Sequence, residues 1–130
     1  MMNVMLVGAG GLIGSVLRYL IGSWVQSVSG NSWIPYGTLT VNVAGCFLIG
    51  LIAGLAETRQ FLGEGTRALV LFGLLGGFTT FSAFGYETIA MVREDHMAAA
   101  AANVVLQVAL GLTAVWIGLS VSHSITFGIK

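Results

Sequence analysis

Gly76-Gly77-Phe78-Thr79-Thr80-Phe81-Ser82-Ala83-Phe84 gathers two glycines, three hydroxyls and three phenyl rings within an otherwise apolar stretch. A phenyl ring has a negative face and a positive edge. Two rings presented edge-on can therefore contact a small anion without an opposite charge that would trap it, and the hydroxyls of Thr80 and Ser82 can donate hydrogen bonds in place of lost water. The glycines followed by the β-branched pair Thr79-Thr80 form a local minimum of helix propensity. Carbonyls freed at a break in a membrane helix can bind a cation. Phe78, Phe81 and Phe84 align only if helical geometry holds, with Phe81 and Phe84 the pair on resumed helix; ordinary aromatic packing is the competing reading.

Other polar side chains interrupt the remaining apolar segments. Thr38 and Asn42 are four residues apart and share a helical face. An amide left without partners in hydrocarbon costs roughly 2 to 7 kcal/mol, so Asn42 either ties helices together or donates to a passing ligand. Asn103, Gln107 and Gly111 form a stripe at spacings of four, either interhelical glue or a polar lining. Arg18 lies late in the first segment, as an interfacial anchor reaching toward water or as the charge of a vestibule that concentrates anions. Glu87, the only carboxylate well inside the third segment, is neutral, paired or interfacial. His96 and His123 sit in or near polar ends and read as solvated.

These residues need a scaffold, and composition defines it. The chain is 56% hydrophobic and 8% charged, against about 25% charged in soluble domains, which implies an all-α integral membrane protein. Stretches long enough to span, roughly 20 residues, fall at 4–25, 38–57, 67–92 and 98–122. The expectation is one four-helix transmembrane domain over 1–130, with loops near 27–36, 58–66 and 93–96. The third stretch would measure about 39 Å as a straight helix, against a hydrocarbon core of roughly 30 Å. A break or tilt is therefore expected, and Gly76 to Thr80 is its place; such backbone is tolerated only beside protein or a water-filled cavity.

Several function classes drop out. The first segment lacks a basic leader and a small-residue cleavage site, and reads as a mature helix. Cys46 is alone, so neither an intrachain disulfide nor a cysteine-built zinc site is available. The net charge of +0 and the absence of a basic run argue against nucleic acid as a partner.

Arg59, Arg67 and Lys130 fall on the N-terminal side of a four-span arrangement, and Arg18 and Arg93 toward the other. Basic residues normally set orientation, and three against two scarcely does. Balanced charge is compatible with insertion in both orientations and an antiparallel pair, which would also supply walls for polar groups that four short helices cannot hide. Gly10-xxx-Gly14 and Gly50-xxx-Gly54 allow close helix approach.

Taken together, Gly11-Leu12-Ile13-Gly14-Ser15-Val16-Leu17-Arg18-Tyr19, Gly37-Thr38-Leu39-Thr40-Val41-Asn42-Val43-Ala44-Gly45 and the run Gly76 to Glu87 resemble the Fluc or CrcB family of bacterial and archaeal fluoride channels. The resemblance implies an antiparallel, dual-topology homodimer in the cell (plasma or inner) membrane, with two fluoride pathways and passive fluoride efflux. It implies a fluoride-contacting aromatic box from Phe81 and Phe84, pore hydrogen bonds from Asn42, and a vestibule at Arg18. It also implies a structural sodium ion (Na+) at the dimer axis on the backbone carbonyls of Gly76 and Thr79. Thr38 and Glu87 match positions of the polar path; Asn103 and Gln107 occupy the stripe where relatives carry a polar track. Ala83 and Gly111 depart from the family by lacking a hydroxyl.

Two other classes compete. A small proton-coupled multidrug exporter would carry a membrane-embedded carboxylate early in the chain, and Glu87 is the only candidate here. A non-transporting assembly subunit would have little use for polar groups on several helices.

Overall fold

The computed structural model describes residues 1–30, 32–59 and 62–127. Lys130, counted above in the charge balance, lies outside them. Among the described residues there are helices and no strands: α1 (Met2–Val28), α2 (Tyr36–Arg59), α3 (Glu64–Arg67), a π-helical stretch (Ala68–Leu75), α4 (Gly76–Phe78), α5 (Phe81–Arg93) and α6 (Met97–Phe127). Four segments are long and apolar enough to cross a membrane: Met2–Val28, Tyr36–Glu57, Glu64–Arg93 and Met97–Thr126. Each exceeds or matches the length expected from hydropathy, because apolar scanning stops at the first polar residues whereas the helical hydrogen bonds continue through them.

Connections are short and locally satisfied. Pro35 precedes α2, whose early Gly37 N–H is capped by Gln26 Oε1 of α1 at 3.1 Å, relieving one of the unpaired donors of a helix start. The turn between α5 and α6 places Asp95 at φ 61°, a left-handed conformation that aspartate tolerates better than most residues. His96, expected to be solvated, is instead half-buried with its ring over Trp33, centroids 3.5 Å apart. The spacing of residues gave no hint of this, because the contact joins two different loops.

Glycines set how closely the helices approach. In α1 only Gly10 and Gly14 are buried, and a Cβ on either would run into the backbone of Leu69 or Leu74. Gly50 lies against the backbone of Val115 and Gly54 against the side chain of Ser122, both on α6. Two tightly joined pairs result, α1 with the third span and α2 with α6. The rest of α1 leaves large apolar side chains such as Leu12, Trp24 and Val28 exposed, as a surface facing lipid or another subunit must.

Candidate functional site

The third span leaves helical geometry at two residues. Thr79 (φ −86°, ψ 158°) and Thr80 (φ −151°, ψ 117°) are extended, whereas Gly76 to Phe78 remain helical. Gly77 is needed for contact with α1, since a Cβ there would lie 2.6 Å from the Gly11 carbonyl oxygen. The low helix propensity of the run is thus divided: Gly77 serves packing and the β-branched pair carries the extended backbone.

Asn42 holds that backbone. Thr80 N–H donates to Asn42 Oδ1 at 2.7 Å, and Asn42 Nδ2 donates to the Thr80 carbonyl at 3.0 Å. In an uninterrupted helix Thr80 N–H would reach the Gly76 carbonyl; here that carbonyl loses this donor. The Thr80 side chain caps the next helix, accepting from Ala83 N–H at 3.2 Å, the usual task of an N-cap threonine. Its hydroxyl also lies 3.3 Å from Ser82 Oγ.

The orientation of a second amide follows by elimination. The N–H and C=O of Thr80 cannot exchange roles, so they determine which end of the Asn42 amide is nitrogen. Asn42 Nδ2 also donates to Gln107 Oε1 at 3.1 Å, which turns Gln107 Nε2 away from Asn42. That nitrogen is buried and has no hydrogen-bond partner. Gln107 therefore carries the free donor of the pair.

Two cavities meet at this segment. A cleft of 1220 Å³ is lined by Arg18, Thr38, Thr80, Ser82, Ala83 and Glu87 among others. A pocket of 350 Å³ is lined by Asn42, Gly76, Thr79, Thr80, Phe81, Phe84 and Gln107 together with apolar neighbours. Thr80 is the one residue common to both. Phe81 and Phe84 stand edge to face in the pocket, with centroids 5.4 Å apart and an interplanar angle of 62°. Phe81 is 82% exposed in the single chain, whereas Phe78, across the interruption, is 7% exposed. The interruption thus separates Phe78 from the other two rings, and Phe78 packs in the interior beside Gly45.

The cleft holds two charged side chains, Arg18 and Glu87. Arg18 donates to the Thr79 carbonyl at 3.3 Å, and no carboxylate pairs with it among the described residues. A guanidinium without a carboxylate partner attracts anions. Thr38 Oγ1 donates to Glu87 Oε1 at 2.6 Å, while Glu87 Oε2 is buried without a partner. No group of three or more histidine, cysteine or acidic residues suited to a metal occurs among the described residues. The Gly76 carbonyl, deprived of its helical donor, is an oxygen of the type that hard cations take.

Asn103 stands apart from both cavities. It is 0% exposed and donates to Thr88 Oγ1 at 2.9 Å, which in turn donates to the Phe84 carbonyl at 2.8 Å. Nine of the ten pathway candidates thus line the cleft or the pocket, and Asn103 reaches the ring pair only through Thr88.

The family described as CrcB-like protein, Camphor Resistance (CrcB), matches residues 5–119 of this sequence. The chain belongs to the CrcB family. Its relatives include a protein of Methylobacillus flagellatus named fluoride-specific ion channel FluC, 45% identical over 118 residues that cover 91% of this chain and 92% of the relative. A Chloroflexus aurantiacus protein of the same name is 43% identical, covering 95% and 97%. FluC 3 of Methanosarcina barkeri, also named a fluoride-specific ion channel, is 38% identical, covering 97% and 94%. This CrcB chain is a multi-pass membrane protein, and every residue of the two cavities lies inside the matched span. Two of its residues, Thr88 and Gln26, escaped sequence reasoning. Thr88 sits four residues after Phe84 and fifteen before Asn103, and only the first of these separations is visible as a helical pattern.

Proposed function

We propose that this chain is the subunit of a fluoride-selective channel that gives passive fluoride efflux across the cell membrane and thereby resistance to fluoride. The observation that carries the reading is the likeness, across more than nine-tenths of both chains, to proteins named fluoride-specific ion channels. The ring pair beside the free Gln107 donor supports it. Neutral HF crosses a membrane and dissociates in a less acidic cytoplasm, where the anion is trapped by its charge. An inside-negative potential drives the anion out through an open path, at about 2.3 kcal/mol per charge per 100 mV, with no need for ATP or covalent chemistry.

In this reading Arg18 draws fluoride into the cleft, and the Thr80 and Ser82 hydroxyls replace part of its water, while Thr38, whose proton is held by Glu87, belongs to the polar wall of the path. The edges of Phe81 and Phe84 and the Gln107 amide receive it in the pocket, with Asn42 holding the path open. Glu87 orients Thr38, and Asn103 acts on Phe84 through Thr88. The third span works as a broken membrane helix whose extended Thr79-Thr80 forms the divide between vestibule and ring pocket.

The exposed Phe81 and the balanced charges support an antiparallel, dual-topology homodimer. The carbonyls of Gly76 and Thr79 fit a structural sodium ion in donor type, since hard cations take oxygen ligands. Two carbonyls make an incomplete shell, which a second copy would complete. Thr79 already accepts from Arg18, but a carbonyl oxygen has a second lone pair.

Reconstituted liposomes loaded with fluoride and chloride provide the test. Release of fluoride with little chloride is expected; equal release of both ions, or no fluoride release, overturns the reading. A terminal cysteine in a Cys46→Ala background should react with an impermeant thiol reagent from both sides of the cell membrane. Labelling from one side alone would rule out dual topology.

A further inference from the structure

A second groove, remote from the fluoride path, opens between the N-terminal ends of α1 and the third span. Its volume is 520 Å³, and it is lined by Val4 and Val7 of α1 and by Glu64, Arg67, Ala68 and Phe72. The two segments run parallel from one face, as the successive contacts of Leu6 with Gly65, Gly10 with Gly73 and Gly14 with Phe78 require. Residue number therefore measures depth in both. Glu64 and, on α1, Asn3 are outermost; Arg67 lies about 4.5 Å deeper at 1.5 Å per residue; Val7, Ala68 and Phe72 lie deeper still. Glu64 and Arg67 are exposed and form no ion pair among the described residues. Phe72 is 70% exposed.

We propose that this groove binds a zwitterionic aminophospholipid, such as phosphatidylethanolamine. Such a lipid carries a primary ammonium outermost, a phosphate beneath it and acyl chains below, which is the complement, in the same order, of Glu64, Arg67 and the apolar wall. The Arg67 guanidinium suits the phosphate, which it can meet with two parallel N–H donors. The Glu64 carboxylate accepts from the ammonium. A phosphatidylglycerol headgroup offers Glu64 only neutral hydroxyls and brings a net negative charge beside the carboxylate, and the choline headgroup has no N–H to donate.

Native mass spectrometry of the purified, detergent-solubilised protein, incubated with phosphatidylethanolamine, phosphatidylcholine or phosphatidylglycerol of matched acyl chains, tests the proposal. The wild type is expected to retain phosphatidylethanolamine preferentially. Retention should fall about tenfold or more in E64Q/R67Q, which loses both charge-assisted contacts, with an unchanged elution volume on size exclusion. The exchange E64R/R67E keeps both charges, inverts their depth order and should lose the preference as well. Equal retention of the three lipids by the wild type, or wild-type retention by the exchange variant, overturns the proposal. A second copy of the chain is the rival occupant: if Phe72→Cys in a Cys46→Ala background is shielded from a thiol reagent in delipidated protein, the groove belongs to a subunit contact and the lipid site is refuted.

Discussion

Asn42 and Thr80 exchange two hydrogen bonds, Thr80 N–H to Asn42 Oδ1 at 2.7 Å and Asn42 Nδ2 to the Thr80 carbonyl at 3.0 Å. The side-chain amide thus does for one extended residue what a neighbouring strand does in a hydrogen-bonded antiparallel pair. It satisfies a backbone that the helix has abandoned.

Asn42→Ala removes both partners at once, at a cost of about 1 to 3 kcal/mol for each group left unmet. A lower thermal unfolding midpoint in detergent and loss of fluoride efflux are expected together. Asn42→Asp retains the acceptor for Thr80 N–H but turns a carboxylate oxygen toward the Thr80 carbonyl and Gln107 Oε1. It should be no milder than alanine; efflux at the wild-type rate would contradict a clamping role.

The three phenylalanines should separate by assay. Phe81→Ile and Phe84→Ile remove ring edges from the pocket and should slow fluoride efflux about tenfold or more, a barrier change of about 1.4 kcal/mol, in protein that still assembles. Phe78→Ile removes a buried ring and should lower the unfolding midpoint, with efflux per folded channel retained. Wild-type efflux from the first two variants would reduce Phe81 and Phe84 to packing residues.

Arg18→Gln keeps some hydrogen-bonding capacity toward the Thr79 carbonyl and deletes the charge. If the guanidinium concentrates anions, efflux in the variant should be slower at low ionic strength, and the gap should narrow as salt screens the field. A deficit independent of salt would point instead to damage at Thr79.

Thr88→Val preserves shape but breaks the line from Asn103 to the Phe84 carbonyl. It leaves the Asn103 amide, already short of a partner at Oδ1, unmet at nitrogen as well. Reduced efflux is expected, with recovery in Thr88→Ser, whose hydroxyl can occupy the same line. Equal impairment by serine and valine would exclude the hydrogen bond as the cause.

Gly77→Ala tests the seam between α1 and the third span. Its Cβ would stand 2.6 Å from the Gly11 carbonyl oxygen and 3.0 Å from Gly11 Cα, atoms of backbone that cannot swing aside. Loss of monodisperse protein on size exclusion is expected; Gly85→Ala, where a Cβ meets nothing within 4 Å, is the control that should behave as wild type.

Much of this molecule was legible because membrane burial imposes simple demands. Four long apolar runs separated by charged or glycine-containing loops can only be helices that satisfy their own backbone, and their order along the chain predicted which residues lie near which face. Thr38 with Asn42, and Gln107 with Asn103, were recognisable as pairs from their spacing of four. The family resemblance likewise rested on motifs readable in order along the chain.

What spacing could not reveal was partnership across helices. Phe78 shares the triplet spacing of Phe81 and Phe84 yet falls on the buried side of the interruption, because two extended residues reset the helical phase. Periodicity predicts faces only while the helix is continuous. The glycines that looked like helix breakers are helical; Gly77 is pressed against Gly11 of α1, and its small size matters more than its freedom of φ.

From sequence alone come the helical membrane class, the four spans, the weak point near Gly76 to Thr80 and the residue types fit for a small anion, since each depends on composition or local propensity. Tertiary structure decided that Thr79 and Thr80 are the extended pair, that Asn42 is spent on Thr80 so that Gln107 holds the free donor, and that Asn103 is sealed behind Thr88. A hydrogen bond is short and directional, and its partners lie tens of residues apart in the chain. Only the packed helices bring a particular donor within reach of a particular acceptor.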